Sequence, residues 1–283
     1  MQRFVLTVVL VLMLSGWGNC AETMKNYEIH KVSDSIYAAI ALPKGKTASN
    51  AMFIVTGNYV ILAGSHFVLE GVRELIAEIA RITPNPVREI ILTHHHSGYN
   101  YIDLDLPPNA EIITSWQTWL ALKSEYRQVK NPVTFFDKGV TLQRENISII
   151  LNSIDQGHSK GDIFVYVPAE GVLFTSDLVF NGAVGYMGTG NMREWVMGVE
   201  MLESLDAKVV IPGVGGVTDT AGISRFKVFL QDFLTEVLRH IELGHSLART
   251  KKEFSLPQYK NLPGYKNFFD VNLERAYSEL KEQ

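Results

Sequence analysis

Ile90-Ile91-Leu92-Thr93-His94-His95-His96-Ser97-Gly98-Tyr99-Asn100 is the stretch whose reading decides the rest of the chain. Val87 to Leu92 is a short, mostly apolar run that predicts a buried strand. It ends at a threonine and opens into three consecutive histidines. Neutral imidazole carries a nitrogen lone pair near neutral pH, which makes histidine the commonest metal ligand. His94 and His96 stand two apart, so an extended backbone projects both from one side and His95 from the other. Taken alone, the stretch fits either a metal site or a histidine-rich surface turn.

Working outward, a third histidine follows the strand-like residues 147–151, in Gly157-His158-Ser159-Lys160-Gly161-Asp162. Flanking glycines let backbone pass close to a site. Residues 171–180 read as strand through Asp177, whose simplest role is to cap the adjoining turn. Residues 209–211 form another strand ending in Pro212-Gly213-Val214-Gly215-Gly216. Toward the N-terminus, residues 27–42 read as two strands about a Ser33-Asp34-Ser35 turn. Residues 49–55 and 59–62 read as a hairpin through Thr56-Gly57-Asn58. Helices are predicted over Leu69–Ile82, with Val72, Leu75, Ile76 and Ile79 on one face, and over residues 115–129, 193–205 and 222–247. The spacing gives no partner motif to His240 and His245 on the last helix, so both read as surface or helix-end histidines.

The ordered set resembles the metallo-β-lactamase superfamily. Thr93-His94-His95-His96 is similar to the Thr-His-x-His of its Thr-His-x-His-x-Asp-His signature. Ser49-Asn50 matches its Ser-Asn-x-x-x-Ile strand, Gly157-His158 its Gly-His-Thr-x-Gly block, Asp177 its metal-bridging aspartate, and Pro212-Gly213 its Pro-Gly-His-Gly. The resemblance spans about residues 27–241 and implies an α/β fold, a four-layer αβ/βα sandwich with the site at one edge between two β-sheets. Alternation of predicted strands and helices agrees with that class.

What the resemblance implies for chemistry is a zinc ion held by His94, His96 and His158. Asp177 would serve as a further ligand, or would hydrogen-bond or deprotonate the attacking water. Tyr99 would donate to a developing oxyanion. The family's second-metal ligands are replaced by Gly98, Tyr99 and Val214, and the aspartate of its Asp-x-Gly strand end by Ala63. The expectation is therefore a divergent member with one zinc rather than two: a secreted hydrolase acting on an ester, thioester, lactone or lactam-type bond. The alternative is a catalytically degenerate relative that binds a small ligand or a protein. A two-iron redox protein on the same fold is disfavoured by the same missing ligands.

Composition bounds the remainder. The chain has 283 residues, 46% hydrophobic and 20% charged, ordinary for a globular protein. A net charge of -4 argues against a nucleic-acid partner, which needs a basic face for phosphates; a small-molecule substrate of unknown identity is expected. Arg3 followed by residues 4–14, apolar apart from Thr7, and a small, polar stretch reads as a signal peptide over 1–21, too short to span a bilayer. Periplasmic or secreted location follows, with no stable membrane anchor after cleavage. Cys20, the sole cysteine, raises lipidation as a minor alternative, poorly served by Trp17 and Asn19 before it. Residues 22–283 then form a single domain with a helical, aromatic extension from about 250 to 283, expected to pack on the scaffold.

Overall fold

The computed structural model describes residues 25–65, 68–96, 106–124 and 129–282. The first sheet has seven strands in sequence order: β1 (Tyr27–Lys31), β2 (Ile36–Ala41), β3 (Ala51–Val55), β4 (Val60–Gly64), β5 (Val87–Leu92), β6 (Glu111–Ser115) and β7 (Val133–Phe136). The second has five, ordered β12 (Val209–Gly215), β11 (Val172–Asn181), β10 (Lys160–Val167), β9 (Ile147–Gln156) and β8 (Gly139–Arg144). The N-terminal strands pair antiparallel through short turns, whereas β4, β5 and β6 run parallel. Parallel pairing needs a crossover between strands. Helix α1 (Leu69–Ile82) supplies it between β4 and β5, burying Val72, Leu75 and Ile79.

Three apolar layers follow from which face each strand presents. Ile54, Ile61, Ile91, Ile163, Phe174 and Ile211 meet between the sheets. On the outer face of the first sheet, Phe53, Leu62 and Ile90 pack on α1 and on Leu122 of α2 (Trp116–Ser124). On the outer face of the second, Leu173, Val179 and Phe180 meet α3 (Met192–Ser204), α4 (Thr220–Glu242) and α6 (Tyr265–Lys281). The layers run helix, sheet, sheet, helix. β5, β10 and β11, covered on both sides, are nearly continuous apolar runs, as strands buried on both faces must be.

Several predicted boundaries shift for local reasons. α4 stops at Glu242, short of the predicted 247, because Gly244 takes φ 70° and reverses the chain into α5 (Leu247–Glu253). β7 and β8 lie at sheet edges, are short and half-exposed, and carry too weak an apolar signal to be foreseen. The C-terminal segment does pack on the scaffold: Leu273, Ala276, Tyr277 and Leu280 join the core with α3 and α4. Among the described residues no helix is long and apolar enough to cross a membrane. The predicted signal segment, Cys20 included, lies outside the described residues.

Candidate metal centre

β5 and its continuation deliver His94 and His96, the turn between β9 and β10 delivers His158, and β11 delivers Asp177. One ligand atom from each of the four lies within 4.8 Å of all the others. None of the side chains' residues is more than 4% exposed. His96 Nε2 and His158 Nε2 are 2.6 Å apart, and Asp177 Oδ2 stands 3.6 Å from His94 Nε2 and 3.7 Å from His158 Nε2. Ligands of a tetrahedral zinc, with bonds of ~2.0–2.2 Å, stand ~3.3–3.6 Å from one another. The donor set therefore fits zinc in chemistry, and the Asp177 separations match that spacing, while the His96 and His158 nitrogens stand closer together than a shared ion would hold them.

Each donor is held by a second set of partners. The Thr93 and Ser176 hydroxyls are 2.8 Å apart, and each lies 3.3 Å from His94 Nδ1. An Nδ1–H donated to them leaves the Nε2 lone pair aimed at the cluster, the arrangement that orients metal-binding imidazoles. Burial pushes the His94 imidazole down, but the Asp177 carboxylate, reinforced by Asp162, outweighs it, and the net direction is up. Ser49 Oγ–H donates to Asp177 Oδ2 at 3.0 Å. Ser176, before Asp177, adopts φ 48°, and the ladder to β12 shifts register on both sides of it. Such irregularities re-aim a side chain beside a site.

His158 rides on a turn closed by Asp162, whose Oδ2 accepts the Ser159 N–H at 2.8 Å. Its carbonyl accepts N–H groups from Thr189 and Gly190 at 2.8 and 3.0 Å. That loop brings the Tyr186 ring to 5.7 Å from His96 and 6.3 Å from His158. Helix α6 grips it from behind. Asn272 Oδ1 accepts the Met187 N–H (2.8 Å), Asn272 Nδ2 donates to the Gly185 carbonyl (3.0 Å), and Arg275 donates to the Met187 and Gly190 carbonyls. The C-terminal extension is thus a support for the loop over the cluster. Thr93 and Ser49 were marked by the Thr-His-x-His and Ser-Asn motifs, and Tyr186 only by its glycine-rich loop, whereas Ser176 carries no spacing signal that ties its hydroxyl to His94.

The other predicted residues fall variously. Gly98 and Tyr99, the proposed oxyanion donor included, lie outside the described residues. Ala63 is a core residue between the sheets, and Val214 is half-buried against the second core. His240 and His245 are neither surface nor frayed-end residues: they are 1% and 9% exposed.

A scan of protein families matches residues 108–214 to the one described as "Metallo-beta-lactamase superfamily". Among solved structures, a metallo-β-lactamase from Pontibacter korlensis superposes with TM-score 0.61 at 21% identity, covering 72% of this chain and 99% of that one. VMB-1 gives 0.62 at 21%, covering 74% and 98%, and the metallo-β-lactamase DIM-1 gives 0.61 at 18%, covering 73% and 98%. The fold is the metallo-β-lactamase sandwich. On this metallo-β-lactamase fold, however, the expectation of a divergent chain equipped for a single ion is corrected. His240, His245 and Glu253 form a second group whose ligand atoms lie within 4.8 Å of one another. Two ligand groups, not one, are present among the described residues. The second escaped sequence reading because it depends on the reversal at Gly244, which cuts the predicted helix short and folds His245 back toward His240.

Proposed function

We propose that the protein is a zinc-dependent hydrolase whose reaction is centred on His94, His96, His158 and Asp177. The observation that carries this is the convergence of three imidazoles and a carboxylate from both sheets into one buried cluster on a metallo-β-lactamase scaffold. A histidine–aspartate ligand cluster in that scaffold supports a zinc-dependent hydrolase. The solved structures it resembles include two that carry the name metallo-β-lactamase.

Zinc bound there supplies Lewis acidity and makes hydroxide available at neutral pH. The chain's own groups do the rest. Thr93 and Ser176 hold the proton of His94 on Nδ1, and Ser49 holds the Asp177 carboxylate toward the histidines. With the three imidazoles as the protein ligands, the fourth position would be left to water, and Asp177 would be the group that takes its proton. Tyr186 covers one side of the His96 and His158 rings, while Trp195 packs 5.4 Å behind His158 and keeps that side dry. Tyr99 is proposed as a donor to the oxyanion. The bond attacked is of ester, thioester, lactone or lactam type. Residues 22–283 are proposed as one domain exported behind a leader at 1–21, which the charged, apolar and small-residue order of that leader supports.

The test is metal content together with turnover of an ester, lactone and β-lactam panel, on tag-free protein, for wild type and His96→Ala. Wild type is expected to bind zinc and hydrolyse at least one panel member, with turnover abolished in the variant. Zinc binding with equal turnover in both proteins would remove the cluster from the chemistry. Full occupancy without any turnover would turn the reading to a fold kept for binding.

A further inference from the structure

We infer that His240, His245 and Glu253 form a second transition-metal site, separate from the first cluster, that clamps the α4–α5 reversal onto α6. Backbone dictates the geometry. With Gly244 at φ 70°, the His245 N–H donates back to the His240 carbonyl at 3.0 Å. Ser246 then caps α5 through its Oγ, which accepts the Arg249 N–H at 3.3 Å. The two imidazoles are left with their Nδ1 atoms 2.8 Å apart. α5 is two turns long, so its last residue, Glu253, returns over the pair, with Oε2 at 3.6 Å from His245 Nδ1.

A shared proton between two imidazoles accounts for the Nδ1–Nδ1 contact, and Arg239 and Arg249 pair with Glu236 and Glu253, yet each carboxylate also keeps an oxygen toward an imidazole. His240 Nε2 lies 3.4 Å from Glu236 Oε1. When Nδ1 is given to a metal, the proton resides on Nε2, and a carboxylate there is the usual outer partner of a ligating imidazole. Arg239 lies 3.1 Å from that same Nε2, and a guanidinium only donates. Without metal, therefore, Nε2 accepts and Nδ1 carries the proton toward His245. Loading would move the His240 proton from Nδ1 to Nε2, facing Glu236, would require Arg239 to withdraw from that nitrogen onto its Glu236 partner, and would free both Nδ1 lone pairs. No net proton is released by that ring. Glu253 would keep Arg249 on Oε1 at 2.9 Å and would offer Oε2 to the ion.

The donor set selects the metal class. Two imidazole nitrogens and one carboxylate suit zinc, nickel or copper, whereas magnesium and calcium want oxygen donors. Glu236 and Glu253 balance Arg239 and Arg249 in formal charge, so the ion enters a locally neutral setting. Its place explains what it would hold. Tyr277 Oη–H donates to the His245 carbonyl at 2.6 Å, so α6 rests on the same turn. Phe254, next to Glu253, packs 5.1 Å from Phe233 of α4 and 5.4 Å from Phe269 of α6.

The experiment uses the full chain and zinc itself, read by equilibrium dialysis with metal analysis. Wild type is compared with Glu253→Gln, an exposed position whose change leaves the core intact, and with His96→Ala/His158→Ala, which disables the first cluster. We expect the double variant to retain one zinc per chain and to gain thermal stability with zinc but not with magnesium. Glu253→Gln in wild type is expected to lower zinc content by one per chain, and combined with the double variant to abolish binding. Equal zinc content in wild type and Glu253→Gln overturns the inference, as does a folded double variant that binds no zinc. Neither result touches the first cluster, whose own loss appears in the double variant's turnover.

Discussion

Gly188 stands at φ 71°, and a Cβ added there would overlap the carbonyl oxygen of His158. Gly190 faces the Gly157 carbonyl in the same way, so the loop fits against the histidine turn only without side chains. Gly188→Ala is therefore expected to lose about 1–3 kcal/mol of stability from forced overlap in a packed region. It should also weaken zinc binding by displacing His158. Thermal unfolding and a zinc titration on the same variant check both. At this scale the sequence was legible where the information is local. Thr93 to His96 can be read because a strand's alternation fixes which side each histidine takes. His158 can be read because its glycines announce a close approach. Ser49 acts on Asp177 from 128 positions away, and nothing in its own neighbourhood says that its hydroxyl will point at a carboxylate.

Between α6 and the loop of residues 182–191, the contacts are side chain to backbone, which makes the helix a cast for the loop. Asn272 is 1% exposed and satisfies one N–H and one carbonyl there. Asn272→Ala leaves both buried and without that partner, at about 1–3 kcal/mol. The expected outcome is a lower Tm together with faster proteolysis within the loop. A Tm drop with unchanged loop cleavage would assign Asn272 to the helix alone. Ahead of α6 in the same segment, Tyr259 donates to Asp232 Oδ2 at 2.6 Å. Burial first, and then that carboxylate, push its pKa from the ordinary 10 up to about 12. A folded value above the unfolded one means the contribution is whole below pH 10 and lost as pH rises through about 12. Tyr259→Phe should lose less stability than wild type across that interval, measured by urea unfolding at stepped pH. Elements with a strong buried stripe, α1 above all, were legible to the residue. The α4 terminus was not, because Gly244 reads equally well as a tolerated helix glycine or as a reversal, and tertiary packing chooses.

The two sheets are joined at both ends of the sandwich by different means. At the metal end, Asn50 Nδ2 donates to the carbonyls of Pro212 and Gly215, both at 2.8 Å, while its Oδ1 accepts the Ala41 N–H at 2.8 Å. At the other end Arg144 meets Glu89 at 2.7 Å, and Glu145 accepts from Gly57 N–H and Asn58 Nδ2. The layer order was legible from the succession of strand and helix, but these clasps, all long-range, were not. They bear on the first cluster because His94 and His96 belong to one sheet while His158 and Asp177 belong to the other. No half of the chain owns all four residues, so on the proposed reading zinc is expected to be captured after the halves have docked and to leave when they part. Release is then timed by the protein's own breathing rather than by whatever waits outside. With EDTA in rising excess, the rate of zinc loss from this cluster is expected to climb and then level off at the frequency of that opening. A rate that keeps rising in proportion to EDTA would mean the chelator reaches the ion through a standing door.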